Sequence, residues 1–163
     1  MHLTIGFSGA AGTGVNTAGL FLGELLAEKG YQIRADKEYA SVIKGDNNSF
    51  FLSISSKEEV LLSKKIDLFL AFDVFAVKKN QDIYQLKNII DLKEVQTKYK
   101  NTFAFGACLK LVNISQIEGE EFLRSCLPEK HQEENLIDFI AGYSFATQHF
   151  SYLCQTINLS EKI

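Results

Sequence analysis

Gly9, Gly12 and Gly14 stand close together, directly after an apolar run from Leu3 to Phe7 and directly before a long amphipathic segment. Glycines so placed can do one kind of chemistry. They bare backbone N–H groups beside the positive end of a helix dipole, and such a turn holds a phosphate or a carboxylate. Two structural roles compete with that one. Glycine supplies the positive φ of a tight turn, and it lets a helix pack closely on a sheet. All three roles stay open at this level, and an anion contact could be shared with another subunit. Thr13 is open in the same way, as a helix cap or as a ligand contact.

The spacing G-x-x-G-x-G inverts the dinucleotide fingerprint G-x-G-x-x-G, which counts against a standard NAD site. Asp36 or Glu38 lies where a ribose ligand would be expected, but acidic residues are common there. No G-K-[ST] follows the turn, which excludes a nucleoside-triphosphate P-loop.

The turn needs a strand before it and a helix after it. Leu3 to Ser8 reads as a buried strand, and Thr13 to Lys29 as a helix with Val15, Ala18, Leu22, Leu25 and Leu26 on one face. Gly30 is its expected C-cap. Tyr31 to Ala35 is a second strand, Lys37 to Asn48 a polar loop, and Ser49 to Ser55 a third strand. Lys57 to Lys65 is a short helix or turn. Asp67 to Phe72 is a fourth strand ending at Asp73, and Asn88 to Asp91 a fifth. Helical periodicity covers Phe103 to Val112, Ser115 to Leu127 and Asn135 to Ile157, with Pro128 separating the last two. The expected fold is α/β, a three-layer αβα arrangement with a mostly parallel central sheet and a helical C-terminal part wrapping it. One domain is expected over residues 1–163.

Composition narrows the function. Of 163 residues, 46% are hydrophobic and 12% aromatic, as in an ordered globule rather than a disordered tail. A net charge of −3 carries no nucleic-acid footprint. The longest apolar runs, such as Leu68 to Phe72, are too short to span a bilayer. A strand begins at once, leaving no room for a signal peptide, so a cytoplasmic protein is expected. Cys108, Cys126 and Cys154 form no C-x-x-C pair, and His2, His131 and His149 are scattered. No metal or cluster site is expected in this chain alone.

A second stretch, Glu38-Tyr39-Ala40-Ser41-Val42-Ile43-Lys44-Gly45-Asp46-Asn47-Asn48, follows the glycine turn about one helix and one strand later. With both in view, the chain resembles the gamma subunit, or gamma-like domain, of the 2-oxoacid:ferredoxin oxidoreductases, which act on pyruvate, 2-oxoglutarate and related acids. Such domains open with a strand and a turn like G-x-G-G-Q-G-[VI], then a G-Y/H-x-V strand, then E-Y-x-S-x-[IL]-R-G-G. Here Gly9 to Val15, Gly30-Tyr31-Gln32-Ile33 and Glu38 to Gly45 stand in that order. Ile66 to Asp73 resembles the family's buried strand ending in Asp. Asn101 to Ala107 resembles its N-x-x-x-x-G helix, and Asn135 to Tyr143 its closing segment. Ala11 and Thr13 replace the frequent Gly and Gln, Lys44 replaces Arg, and Asp46 replaces the second Gly. The run Lys44 to Asn48 is more similar to gamma domains fused ahead of a thiamine-pyrophosphate-binding alpha chain.

The resemblance implies an accessory part of an enzyme that converts a 2-oxoacid and coenzyme A to acyl-CoA, CO2 and reduced ferredoxin. Thiamine pyrophosphate would lie between alpha and beta partner subunits of a hetero-oligomer, and iron–sulfur clusters in the beta subunit or a delta subunit. No catalytic residue is expected here. Gly9, Gly12, Thr13 and Gly14, with Tyr39, Ser41, Lys44, Gly45 and Asn48, would face the partners and the coenzyme A path. Lys44 would bring positive charge to a phosphate or carboxylate, and Tyr39 and Ser41 packing and hydrogen bonds. Val42, Ile43, Phe50 and Phe51 are candidates for an exposed apolar patch that a partner would cover. The alternative is an independent nucleotide- or flavin-binding Rossmann-like domain.

Overall fold

The computed structural model describes residues 2–39, 47–56 and 63–155, with the side chains of Cys154 and Gln155 excepted. Two compact units divide the chain, the first running to Val95 and the second starting at Gln96. The first contains β1 (His2–Gly9), α1 (Val15–Glu28), β2 (Gln32–Glu38), β3 (Asn48–Ser55), β4 (Lys65–Ile66), β5 (Leu68–Ala71), α2 (Phe75–Asn80), β6 (Gln85–Leu86) and β7 (Ile89–Asp91).

Five of these strands form one sheet in the order β2-β3-β1-β5-β7, and β4 pairs with β6. β1 runs parallel to β5, and β5 to β7. β3 is antiparallel to both of its neighbours, β1 and β2. β1, β2, β5 and β7 therefore share one direction, the mostly parallel sheet expected from the sequence, and β3 alone opposes them. The connection from β2 to β3 is too short for a crossover helix, so the two strands pair as neighbours of opposite sense.

Pairing alternates the side chains between two faces. Gly19 and Gly23 of α1 lie on Phe50 and Leu52, so α1 covers the face of the even-numbered β3 residues. Phe51 and Phe69 point the other way and pack with Ala76 and Val77 of α2 and with Tyr84. Phe50 and Phe51 are thus core residues, 0% and 1% exposed, and not the surface patch expected of them. β5, buried on both faces, is apolar at every position, whereas β1 alternates Leu3, Ile5 and Phe7 with the small residues Thr4, Gly6 and Ser8. Val42 and Ile43 lie outside the described residues.

The second unit holds α3 (Lys100–Leu111), α4 (Gln116–Cys126), α5 (Glu129–Phe150) and a final 3-10 turn, Ser151–Gln155. Pro128 precedes the first turn of α5, where a missing N–H costs nothing, so this helix starts before the expected Asn135. α4 begins with a reciprocal capping box between Ser115 and Glu118. Asn113, at φ 63°, ends α3 in the left-handed region that asparagine tolerates. α3 and α5 pack closely where Gly106 meets the backbone of Phe139 and Gly142 that of Phe103. Phe105 and Phe139, with ring centroids 5.6 Å apart, fill the seam beside them. Cys108 is fully buried here, and burial pushes its thiol far above the usual cysteine range, which makes it inert. Among the described residues, no helix is long and apolar enough to cross a membrane.

Candidate functional site

α1 links β1 to β2 across one face of the sheet, and α2 lies between β5 and β7 on the other. The crossovers diverge between the adjacent strands β1 and β5. In open α/β sheets the crevice beyond the carboxyl ends of two such strands is where ligands bind. The glycine turn follows β1 at that point, and Phe72 to Phe75 follow β5.

Gly12 and Gly14 both have positive φ, 83° and 84°, so the turn uses them as turn glycines. A Cβ on Gly12 would meet nothing within 4 Å. Its lack of a side chain therefore serves backbone conformation and open access, not packing. Gly9 is different: a Cβ there would lie 2.6 Å from that of Phe72. Gly14 is the N-cap of α1 and brings no side-chain cap. Thr13 does not cap the helix either. Its hydroxyl donates to the Ala10 carbonyl at 2.6 Å and ties the turn to itself. Ala11, Gly12 and Gly14 make no backbone N–H hydrogen bond among the described residues. One residue into α1, Asn16 Oδ1 is buried and has no hydrogen-bond partner among the described residues. A buried acceptor left without a donor costs about 1–3 kcal/mol, so a donor from a ligand or partner would be favoured there.

The other end of the site is held mainly by residues that the sequence assigns to no site. The Asp73 carboxylate accepts from Ala10 N at 2.9 Å through Oδ2. Its Oδ1 accepts from Asn47 Nδ2 at 2.6 Å, Phe75 N at 2.9 Å and Ala76 N at 3.1 Å. The Lys79 ammonium donates to the Asn47 carbonyl. Beneath them, Asn80 is wholly buried and binds Ser8 Oγ (3.2 Å), Ser49 Oγ (3.3 Å) and the Ala76 carbonyl (2.8 Å). Ser8 Oγ also donates to the Asn48 carbonyl at 3.1 Å. Partners up to 72 residues apart make this network, which a linear pattern does not reveal.

Of the sequence-predicted site residues, Gly9, Gly12, Thr13 and Gly14 form one turn, and Asn48 opens β3 beside it. Asn48 pairs with Gly9 in the β1–β3 ladder. Tyr39 follows β2 and is 69% exposed. Ser41, Lys44 and Gly45 lie outside the described residues. Exposed apolar surface does flank the site, but it comes from Val74 and Phe75, 62% and 64% exposed.

Glu38, at the end of β2, accepts a hydrogen bond from the Tyr84 hydroxyl. The Tyr84 ring packs on Phe51, 4.4 Å between centroids. Burial first, then the Glu38 hydrogen bond and charge, and then Asp36, push the Tyr84 phenol well above the usual tyrosine range. A pKa raised on folding stabilises the fold fully below the unfolded value of about 10 and loses that contribution as pH rises beyond it. Urea midpoints should therefore fall between pH 9 and 11, and fall less steeply in Tyr84→Phe. Equal slopes in the two proteins would contradict the assignment.

Residues 4–91 match the family described as pyruvate ferredoxin/flavodoxin oxidoreductase. A 2-oxoacid:ferredoxin oxidoreductase subunit alpha from Sulfolobus sp is 39% identical over 90 residues, which are 55% of this chain and 14% of that protein. This chain thus matches only a small part of the length of that relative. A solved 2-oxoglutarate:ferredoxin oxidoreductase from Magnetococcus marinus, with 2-oxoglutarate, coenzyme A and succinyl-CoA bound, superimposes at a TM-score of 0.79. The identity is 22%, covering 92% of this chain and 32% of that one. A keto/oxoacid ferredoxin oxidoreductase gamma subunit from Geobacter sulfurreducens PCA gives 0.72 at 22% identity, covering 91% of this chain and 98% of the other. At these identities the two structures speak to the fold. The Rossmann-like alternative finds no support among these matches. The family match spans more than half of the sequence, and with it the chain belongs to the pyruvate ferredoxin/flavodoxin oxidoreductase family.

Proposed function

We propose that this chain is the gamma-type part of a thiamine-pyrophosphate-dependent 2-oxoacid:ferredoxin oxidoreductase. The complete enzyme converts a 2-oxoacid and coenzyme A to acyl-CoA and CO2 and passes the two electrons released to ferredoxin. The two units together make one gamma-type domain, residues 1–163, and carry out no chemical step themselves. The observation that carries this reading is the glycine turn, where among the described residues the amides of Ala11, Gly12 and Gly14 are unengaged and no atom stands where a Gly12 side chain would be. Such a turn suits close approach of a phosphate of coenzyme A. Gly9 and Thr13 shape it, Tyr39 and Asn48 flank it, and Lys44, with Ser41 and Gly45, would bring positive charge to the same ligand.

The hard chemistry belongs to thiamine pyrophosphate between alpha and beta partners and to iron–sulfur clusters in beta or delta subunits. Among the described residues no three of His, Cys, Asp and Glu come together to hold a metal, and Cys108 is sealed in the core. This chain's part is to orient a substrate and to exclude water. Affinity purification of the tagged chain from its native host, read by mass spectrometry, is expected to recover thiamine-pyrophosphate-binding and iron–sulfur chains. Recovery of the chain alone with a bound nucleotide or flavin would overturn the proposal.

A further inference from the structure

Three separate segments meet on one side chain. Ala10 belongs to the glycine turn, Asn47 stands just before β3, and Phe75 and Ala76 open α2. All of them donate to the Asp73 carboxylate, at 2.6 to 3.1 Å. Both oxygens are used, and every partner is a donor. A carboxylate is the only side-chain group of this size that accepts at both ends, and an amide would set an NH2 against at least one of these N–H groups. The segment from Asp73 to Tyr84 also reaches both ends of the 39–47 connection, since Tyr84 holds Glu38 while Asp73 and Lys79 hold Asn47.

The geometry points to Asp73 as a positioning residue that sets the glycine turn against the chain leading into β3, so that the two present one preformed surface. The inference rests on the reading of that turn as facing coenzyme A. Asp73 is not assigned a contact with the ligand. It fixes Ala10, and through Ala10 the direction of the amides that follow.

Two substitutions in the assembled enzyme test it. Asp73→Asn keeps the size and loses one acceptor. Asp73→Ser keeps a short acceptor for the α2 amides, as a helix cap does, but does not extend to Ala10 or Asn47. Hydrogen exchange is followed in the peptide covering residues 9–14, together with KM for coenzyme A, KM for the 2-oxoacid, and kcat. Charge-assisted hydrogen bonds carry roughly a factor of ten. Both variants are therefore expected to speed exchange in that peptide about ten-fold and to raise KM for coenzyme A about as much, with the 2-oxoacid KM and kcat unchanged. Unchanged exchange in Asp73→Ser would overturn the positioning role and leave the proposed function standing. Faster exchange with an unchanged coenzyme A KM would uphold the positioning of the turn and remove coenzyme A from it, which sinks the functional reading instead. A fall in kcat with a rise in both KM values would mark Asp73 as a general stabiliser and overturn the inference.

Discussion

Gly142→Ala is expected to destabilise the helical unit by about 1–3 kcal/mol, among the largest effects available to a single methyl group in this chain. A Cβ on Gly142 would lie 1.9 Å from the Phe103 carbonyl oxygen and 2.7 Å from its carbonyl carbon. Those are backbone atoms inside α3, and no rotamer change moves them. α3 and α5 would have to separate by more than an ångström to restore ordinary contact. Such overpacking costs typically 1–3 kcal/mol and more where the neighbour is rigid. Alanine returns up to about 1 kcal/mol through helix propensity, so the clash wins. Separation would also open the Phe105–Phe139 seam and strain the buried hydrogen bond from Thr102 to Asn135, 2.6 Å long. Ser144→Ala, on the exposed side of the same helix, is the control and should stay within about 0.5 kcal/mol of the parent. Urea unfolding followed by far-ultraviolet circular dichroism measures both. A Gly142→Ala protein as stable as its control would mean that the two helices do not approach this closely.

The sequence made the strand, turn and helix around the glycines legible because each follows a local rule. An apolar run marks β1, positive-φ residues mark the turn, and a 3.6-residue repeat marks α1. The family motifs extended that reading to Gly106 and Gly142, though not to the reason for them, which is the approach of two backbones. The orientation of β3 was less visible. Its residues read as a strand whichever way it runs, and the only clue was a connection too short for a crossover. α2 was missed because six residues, Phe-Ala-Val-Lys-Lys-Asn, are too few for periodicity and two of them are charged. β4 and β6, two residues each, fall below any pattern. The polar residues that build the site floor looked ordinary for a related reason. Ser8 and Ser49 are small polar residues in apolar strands, and Asp73 closes another. Only the pairing of distant segments turns them into partners. Tyr39 could be placed, and is exposed, whereas the charge proposed for the site rests on Lys44, which is outside the described residues.

Asn80→Asp is the second large effect, and it differs from the first in depending on pH. Asn80 is completely buried and uses both halves of its amide: Nδ2 donates to the Ala76 carbonyl and to Ser8 Oγ, while Oδ1 accepts from Ser49 Oγ. Aspartate has the same shape but turns the donor into an acceptor, 2.8 Å from a carbonyl oxygen in the parent geometry. The ionised form would place a charge with no counter-ion hydrogen-bonded to it, at a cost of about 3–5 kcal/mol. The protonated form restores one donor and is far less costly. Its pKa should therefore be raised in the folded state. A pKa raised on folding means that the variant is least impaired below the unfolded value of about 4 and loses stability as pH rises above it. The stability gap between Asn80→Asp and its parent should accordingly be wide at pH 7 and narrow by pH 4. Asn80→Ala, which removes the donor without adding charge, should show a smaller gap of about 2–3 kcal/mol that is flat over the same range. Because Asn80 holds Ser8 at the exit of β1, the aspartate variant should also speed hydrogen exchange in the glycine turn at pH 7. A gap for Asn80→Asp that does not change between pH 4 and 7 would mean that water reaches the side chain. The floor of the site would then be open, not sealed.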